Sequence, residues 1–406
     1  MMEKVLGVII EYNPFHNGHL YHLEKAKELT GCRYVVGVMS GNYVQRGEPA
    51  IINKWARTEI ALNNGVDLVI ELPTVYATQS AEGFAKGAVN ILANTGIVTH
   101  LVFGSEKGDI NSLKAAAQKL LDFEEKGMIK EILKKGISYS EGLKELLKDE
   151  EILKGSNNIL AVEYLKEILR KKLPITVDTI KRFNNNYNDE NLPQNETAIA
   201  SATALRPLIK NNNPAIKKYI PESSYQILID TLSKRQIPAS LDQMSEFFFQ
   251  LLLRDGTEGL KKMARIEIGL ENRIFQKAID SPSITELIQS VRSKRFAKSR
   301  ISRIILHFIL NLNEELLLES NENPGRYLRI LGCSTQGLNL LKSLKNNCNV
   351  PFSLNYSKLL KEFNKEKIEK RQLLLEDSAT NIYTKFFFKN FTLGLEYTEN
   401  AIIFKK

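Results

Sequence analysis

The rhythm of hydrophobic and polar positions changes partway along the 406-residue chain. In the first half, short β-branched runs alternate with amphipathic stretches. "KVLGVII" (4–10), "YVVGVM" (34–39), "DLVIEL" (67–72) and "HLVFG" (100–104) are compact and apolar. Runs of this kind predict strands buried on both faces. Segments 19–30, 53–63 and 80–94 carry apolar residues at helical spacing, and a helical insertion is predicted over about 109–154. "NNILAVEYLKEILRKK" (157–172) predicts a helix, and "PITVDTIKR" (174–182) a fifth strand. The alternation predicts a parallel sheet with right-handed crossovers. Residues 221–345 read as almost wholly helical, and "FTLGLEYTENAIIFKK" at the end as short strands. The expected fold class is α/β: a Rossmann-like parallel sheet, a mostly helical domain, and a short C-terminal β element. The expected divisions are 1–210, 211–345 and 346–406, for a chain too long for one ordinary core.

Composition narrows the class. No apolar run reaches the ~18–20 residues of a membrane span. The opening "MMEKVLGVIIEY" lacks a signal-peptide layout, so a cytoplasmic protein without a membrane partner is expected. Cys32, Cys333 and Cys348 are scattered and odd in number, with no CxxC spacing. That excludes a disulfide framework and a cysteine zinc site, and leaves reduced thiols. The net charge of +9 is uneven: residues 1–205 hold 24 Lys+Arg and 26 Asp+Glu, and the remainder 32 and 21. The C-terminal half therefore carries all the basic excess, which suggests a polyanion-facing part or simply a solvated basic surface. Residues 183–197, "FNNNYNDENLPQNET", are Asn-rich and turn-prone, and read as a flexible loop.

Ligands of parallel sheets sit outside the carboxyl ends of the strands. "EYNPFHNGHLYHL" begins at such an end and holds three of the five histidines. Pro14 pushes Asn13 into an extended conformation. Asn17 reads as the N-cap of a helix whose buried stripe is Leu20, Leu23 and Ala26. His16 then stands just before the helix and His19 in its first turn. The first N–H groups of a helix have no intrahelical partner, and Gly18 leaves that backbone open to approach. Free donors, the positive helix end and two imidazoles together predict an anion site. Zinc would want three or four ligands, and His22 reads as off the face shared by the other two, so no metal site is expected. The remaining alternative is that the histidines pack or cap.

"HNGH" matches the HxGH signature of the nucleotidylyl transferase superfamily. "GVIIEYNPFHNGHLYHL", "MSGNYVQRGEPAIINKWARTEIALNNGVDLVIELP", "FGSE", "NNIL" and "IASATALR" together resemble the bacterial tRNA(Met) cytidine acetate ligase family. So do "KRFAKSRISRIILHFIL" and "YLRILGCSTQGLNLL". The resemblance spans nearly the whole chain. It implies that ATP and acetate form acetyl-adenylate, and that the acetyl group passes to N4 of the wobble cytidine (C34) of elongator tRNA(Met). It also implies residues. His16 and His19 would be catalytic, contacting phosphate oxygens. Gly7, Val8, Ile9, Ile10, Glu11, Tyr12, Asn13, Pro14, Phe15, His16, Asn17, Gly18, His19 and Leu20 would line the ATP site. Gly104, one or both of Asn157 and Asn158, Arg182, Ser201, Thr203 and Arg206 would join them. Mg²⁺ would accompany ATP, although no motif marks a protein-held ion. Two positions depart from the family: Asn188 stands where a histidine is common, and Ser156 where a proline is.

The resemblance fits the chemistry. Acetate is ionised at neutral pH and needs no base to attack phosphorus. The step needs charge stabilisation on the α-phosphate and the leaving pyrophosphate. "SGNYVQRGEPAIINKWAR" places Arg46, Lys54 and Arg57 around two glycines, a loop suited to clamping an anion or to capping a helix near Asn53. "RSKRFAKSRISR" (292–303) contributes Arg292, Lys294, Arg295, Lys298, Arg300 and Arg303 and no acid. Phe296, Ile301, Ile304, Ile305 and Phe308 form its apolar stripe, so the charges are expected on exposed faces, as a tRNA-binding surface or a solvated one. By this reading 1–210 is the catalytic domain, 211–345 the tRNA-binding domain, and 346–406 packs back on the body. Two other functions stay open: an adenylyltransferase acting on a small phosphate substrate, and a tRNA-binding protein without catalysis.

Overall fold

The computed structural model describes residues 3–128, 142, 147, 152, 155–182, 199–264, 266–293 and 295–405. The Asn-rich loop and most of the second half of the 109–154 insertion lie outside them. The first half contains β1 (Val5–Ile10), α1 (Asn17–Thr30), β2 (Tyr34–Ser40), a hairpin of β3 (Tyr43–Val44) and β4 (Glu48–Pro49), and α2 (Lys54–Asn63). There follow β5 (Leu68–Leu72), α3 (Thr74–Ala77), α4 (Ala81–Asn94), β6 (His100–Ser105), α5 (Ile110–Glu125), α6 (Ser156–Arg170), β7 (Thr176–Lys181) and α7 (Ala202–Lys210). The second half contains α8 (Glu222–Lys234), α9 (Ser245–Lys261), α10 (Leu270–Ala278), α11 (Ile284–Val291), α12 (Lys298–Leu310) and α13 (Glu314–Glu322). It closes with β8 (Leu328–Ser334), α14 (Gly337–Asn347), β9 (Phe352–Ser353), α15 (Tyr356–Lys361), α16 (Ile368–Phe387), α17 (Leu395–Thr398) and β10 (Ile402–Phe404). Among the described residues, no helix is long and apolar enough to cross a membrane.

The main sheet runs β10-β8-β5-β2-β1-β6-β7, with β9 also paired to β8. β5, β2, β1, β6 and β7 are mutually parallel. Alternate residues of β1 enter opposite layers: Val5 joins the core under α4 and α6, while Leu6, Val8 and Ile10 join the core with Leu23 and Ala26 of α1. This is the two-faced burial that the compact apolar runs predicted. The chain leaves β1 toward β2 on one side and reaches β6 on the other, so the strand order reverses between β1 and β6. That reversal opens a crevice at the carboxyl ends of both strands.

Two expectations of the fold fail. The terminal stretch read as short strands forms a helix, α17, at Leu395–Thr398 and a strand only at Ile402–Phe404. Residues 328–334, inside the stretch read as helical, form β8, which is buried throughout and antiparallel to β5. The sheet is therefore not purely parallel, and it is completed from the C-terminal half. "LRILGCS" has the same compact character as β2. Gly332 lies against the Ile402 carbonyl, which a Cβ would approach to 2.8 Å, and this lets β10 pair closely.

The C-terminal helix α16 supports the hairpin. Tyr43 Oη donates to the Ala379 carbonyl at 3.2 Å, Tyr383 Oη to the Ala50 carbonyl at 2.7 Å, and Asn42 to Thr380 at 3.0 Å. Beneath them lies a buried ionic network. Lys54 Nζ meets Glu71 at 2.5 Å and also Glu396, while Arg329 reaches Glu396 at 3.3 Å. Glu376 accepts from the Thr74 N–H and hydroxyl. Burial opposes the charge on Lys54, but Glu396 and Glu71 outweigh it and hold its pKa up. Lys54 and Arg57 are both fully buried, and Arg57 spends its guanidinium on the Glu11, Gly41 and Ile52 carbonyls. Neither serves the anion clamp expected of this loop; of the three basic residues, Arg46 alone lines the crevice. Removing Lys54 would strand the buried Glu71 carboxylate and leave Glu396 with Arg329 as its one charged partner among the described residues. Lys54→Ala is expected to destabilise the fold by about 3–5 kcal/mol, read from the urea midpoint. A loss under about 1 kcal/mol would mean the network is not a structural tie.

Candidate active site

The turn after β1 is held from several sides. Tyr12 takes a positive φ of 48°, a sparsely populated conformation for an aromatic residue, and packs edge-on against Phe15. Asn13 Oδ1 accepts from the Ile51 N–H at 2.7 Å, and the Asn13 carbonyl accepts from Arg206 at 3.2 Å. The turn thus joins the hairpin side of the crevice to α7.

The helix that follows starts one residue earlier than expected. Its N-cap is His16, not Asn17. His16 Nδ1 accepts from the Gly18 N–H at 3.1 Å, and His19 Nδ1 accepts from the His16 N–H at 3.2 Å. The Asn17 N–H is taken by the Tyr219 carbonyl at 2.9 Å. The first backbone donors of α1 are therefore spent within the protein, contrary to the expectation that they face a ligand. The donors are relocated instead. Because each Nδ1 accepts a hydrogen bond, each imidazole in its neutral form carries its hydrogen on Nε2. The two rings stack with centroids 3.7 Å apart.

Gly18 has a specific reason to be glycine. A Cβ there would sit 2.6 Å from Ile199 Cγ2 and 2.9 Å from His16 Cε1, and would displace the imidazole that caps the helix. Gly104 is similar: the stem of Arg182 lies across it, 3.3 Å from where a Cβ would be.

The crevice at the switch point has about 220 Å³ of interior space. Of the residues expected at the site, Ile9, Ile10, Glu11, Tyr12, Asn13, His16, Gly18, His19, Gly104, Asn157, Arg182, Ser201, Thr203 and Arg206 line it. Gly7, Val8, Pro14, Phe15, Asn17, Leu20 and Asn158 do not. A Cβ on Gly7 would meet Val98 and Leu92, so that glycine serves packing under the sheet. The structure separates the asparagine pair: Asn157 lines the crevice, whereas Asn158 is buried and accepts from the Lys107 N–H at 3.0 Å. Glu106 receives the Asn157 and Asn158 N–H groups, so the start of α6 is already capped by a carboxylate. Ser201 caps α7 through the Ala204 N–H and lines the crevice as well.

His22 was set apart by the sequence pattern, yet it lines the same crevice, and its Nε2 is buried without a hydrogen-bond partner. Its spacing of three from His19 was the available signal. Among the described residues, no group of three His, Cys, Asp or Glu side chains is placed to hold a metal ion. Burial, and then the Arg182 charge, push the pKa of His16 down to about 3 and that of His22 to about 4; His19 is also held well below its usual value, first by burial and then by His16. All three are neutral at pH 7. Burial pushes the Glu11 carboxyl up, against the Gln45 N–H and the charges of Arg46, Arg57 and Arg206. What results is a crevice with two fixed neutral donors, flanked by Arg46, Arg182 and Arg206, that suits a polyanion.

The basic run is less open than its sequence suggests. Its apolar stripe is buried as expected at Ile301, Ile304, Ile305 and Phe308. Arg292, Arg295 and Lys298 are exposed, but Arg295 and Arg300 both pair with Glu267. Arg303 donates to the Gln45 carbonyl at 3.2 Å and so touches the hairpin. Lys294 lies outside the described residues.

The sheet order, the crevice at its switch point and the paired histidines define a nucleotidyl transferase, and residues 2–396 match the family model described as HIGH Nucleotidyl Transferase. The tRNA(Met) cytidine acetate ligase of Thermosipho melanesiensis is 41% identical over 406 residues, covering 95% of each chain. The crystal structure of Thermotoga maritima TmcAL in its apo form superposes with a TM-score of 0.93 at 36% identity, covering 99% of this chain and 100% of that one. The same enzyme bound with alpha-thio ATP gives 0.90 at 36% identity. The chain belongs to the tRNA(Met) cytidine acetate ligase family.

The lowered imidazole pKa values make a pH prediction. The unfolded chain protonates these histidines near 6.5, whereas folded His16 and His22 protonate near 3 and 4. Between those limits the unfolded state binds more protons, so stability is full above pH 6.5 and declines as pH falls toward 3. Imidazole NMR is expected to show Nε2–H tautomers for His16 and His19 at pH 7, with His16 still unprotonated at pH 5. Titration near 6.5 would contradict the buried, capped arrangement.

Proposed function

We propose that this chain is an ATP-dependent acetate ligase that makes N4-acetylcytidine at the wobble cytidine, C34, of elongator tRNA(Met). The observation that carries the reading is the pair of Nε2–H donors fixed at the switch point of a chain whose relatives act on tRNA(Met) cytidine. ATP lies in the crevice with its phosphates toward His16, His19 and Arg182. An acetate oxygen attacks the α-phosphorus, a bond forms between them, and the bond to pyrophosphate breaks. The two imidazoles and the arginines stabilise the charge gathered on the phosphate oxygens. Mg²⁺ would enter with the ATP phosphates.

In the second step N4 of the cytidine attacks the acetyl carbonyl. A C–N bond forms, the bond to AMP breaks, and N4 loses a proton. The imidazoles, already donors at Nε2, are unsuited to take that proton, whereas the Glu11 carboxylate on the same wall can. In this reading residues 1–210 bind ATP and acetate, and the helices of 211–345 carry the tRNA through Arg292, Lys294, Arg295, Lys298, Arg300 and Arg303. Residues 346–406 brace the body, and the enzyme works in the cytoplasm, where its tRNA is.

The direct test is incubation with ATP, acetate and tRNA(Met), followed by nucleoside analysis by mass. N4-acetylcytidine that requires both ATP and acetate is expected. A stable adenylylated small molecule would favour an adenylyltransferase, and tRNA binding without ATP turnover a non-catalytic protein. His19→Ala is expected to slow acetate-dependent ATP–pyrophosphate exchange about 10²–10³-fold, the usual loss for one transition-state donor. An unchanged rate would remove His19 from the chemistry.

A further inference from the structure

The acid-free basic run acquires an acid in three dimensions. Glu267 stands between α9 and α10, 25 residues before Arg292 in sequence. Its Oε2 meets Arg295 Nη2, and its Oε1 meets Arg300 Nη1 at 2.7 Å. The two guanidinium groups also contact one aromatic ring: the Phe296 centroid lies 5.6 Å from Arg295 Cζ and 5.4 Å from Arg300 Cζ. That ring is packed partly into the core, and a tight turn holds it, with Ser293 and Phe296 exchanging backbone hydrogen bonds at 3.2 Å. The ring and the turn therefore set the spacing of the two arginines.

A carboxylate held by one arginine at each oxygen presents the same charge and the same pair of acceptors as the two non-bridging oxygens of a phosphodiester. We propose that Arg295 and Arg300 form a phosphodiester-binding site for RNA that Glu267 occupies in the free protein. This rests on the tRNA reading above and deepens it. The arginine side chains are 55% and 26% exposed and that of Glu267 33%, so an incoming strand can reach the pair. Ion pairs that remain open to solvent add little to stability, so Glu267 is displaced from these partly exposed arginines at little cost. A phosphodiester in its place gains charge-assisted bonds to both arginines and releases a counterion. The carboxylate thus tempers electrostatic attraction to RNA at large, and strands whose further contacts are correct still dislodge it.

The test is tRNA affinity of the full chain across a salt series, for the wild type, Glu267→Gln, the double variant Arg295→Gln/Arg300→Gln, and the triple combination, with circular dichroism to check folding. Glu267→Gln is expected to tighten tRNA binding by on the order of tenfold and steepen the log–log salt slope by about one unit, because one more positive charge then faces the phosphates. Non-cognate RNA should gain at least as much, so the ratio of cognate to non-cognate affinity should not rise. In the double-variant background the same change should have no effect. Unaltered affinity in Glu267→Gln, or equal tightening with the arginines absent, would overturn the proposal while leaving the tRNA reading intact. Failure of the wild type to bind tRNA at any salt concentration would overturn the tRNA reading and this site with it.

Discussion

Two hydrogen bonds from backbone N–H groups to imidazole Nδ1 atoms set the chemistry of the crevice. The Gly18 N–H holds His16 and the His16 N–H holds His19. A helix start would ordinarily offer its own N–H groups to an anion. Here those groups are consumed, and the donor function passes to two Nε2–H groups farther from the backbone. The exchange has a physical advantage. The rings stack, His16 buried and His19 half-buried, so they stay neutral near pH 7 and present donors without adding net charge to a site already flanked by arginines. The orientation survives only while Gly18 lacks a side chain and Tyr12 keeps its unusual backbone angle.

The rest of the molecule holds that turn in place. β1 is clamped between β2 and β6, and its residues feed both layers of core. The Asn13 side chain and carbonyl pin the turn to Ile51 and Arg206. Arg57 gathers three carbonyls around the hairpin, and Lys54 ties α2 to β5 and to the far C-terminal Glu396. The last sixty residues are thus coupled to the crevice through α16 and the hairpin, although none of the described ones lines it. Arg303 adds a contact from α12 to the same hairpin.

Features with a local cause were legible in the sequence. The parallel strands showed as compact β-branched runs, the stripe of α1 as Leu23 and Ala26 with Leu20 only partly buried, and the stripe of α12 as four apolar positions. HxGH and its neighbours pointed to the crevice, because the end of β1 and the start of α1 form one continuous wall of it. Features with a distant cause were not legible. β8 is a compact apolar run like β2, but it lies inside a stretch of helical pattern, and it is the open edge of β5, distant in sequence, that makes it a strand. Lys54 and Arg57 resemble an anion clamp until Glu71, Glu396 and three carbonyls surround them. Asn157 and Asn158 are equivalent in sequence, and only the start of α6 separates the one facing the crevice from the one beneath Lys107. Glu267 was invisible beside the basic run for the same reason: its partners are close only in the folded chain.

The most direct measurement of the central claim is a crystal structure of this protein with a non-hydrolysable ATP analogue. The account requires Nε2 of both His16 and His19 within hydrogen-bonding distance, about 3.2 Å or less, of phosphate oxygens, with each Nδ1 still held by its backbone N–H. A triphosphate bound away from these atoms, or rings turned so that Nδ1 faces the ligand, would contradict it.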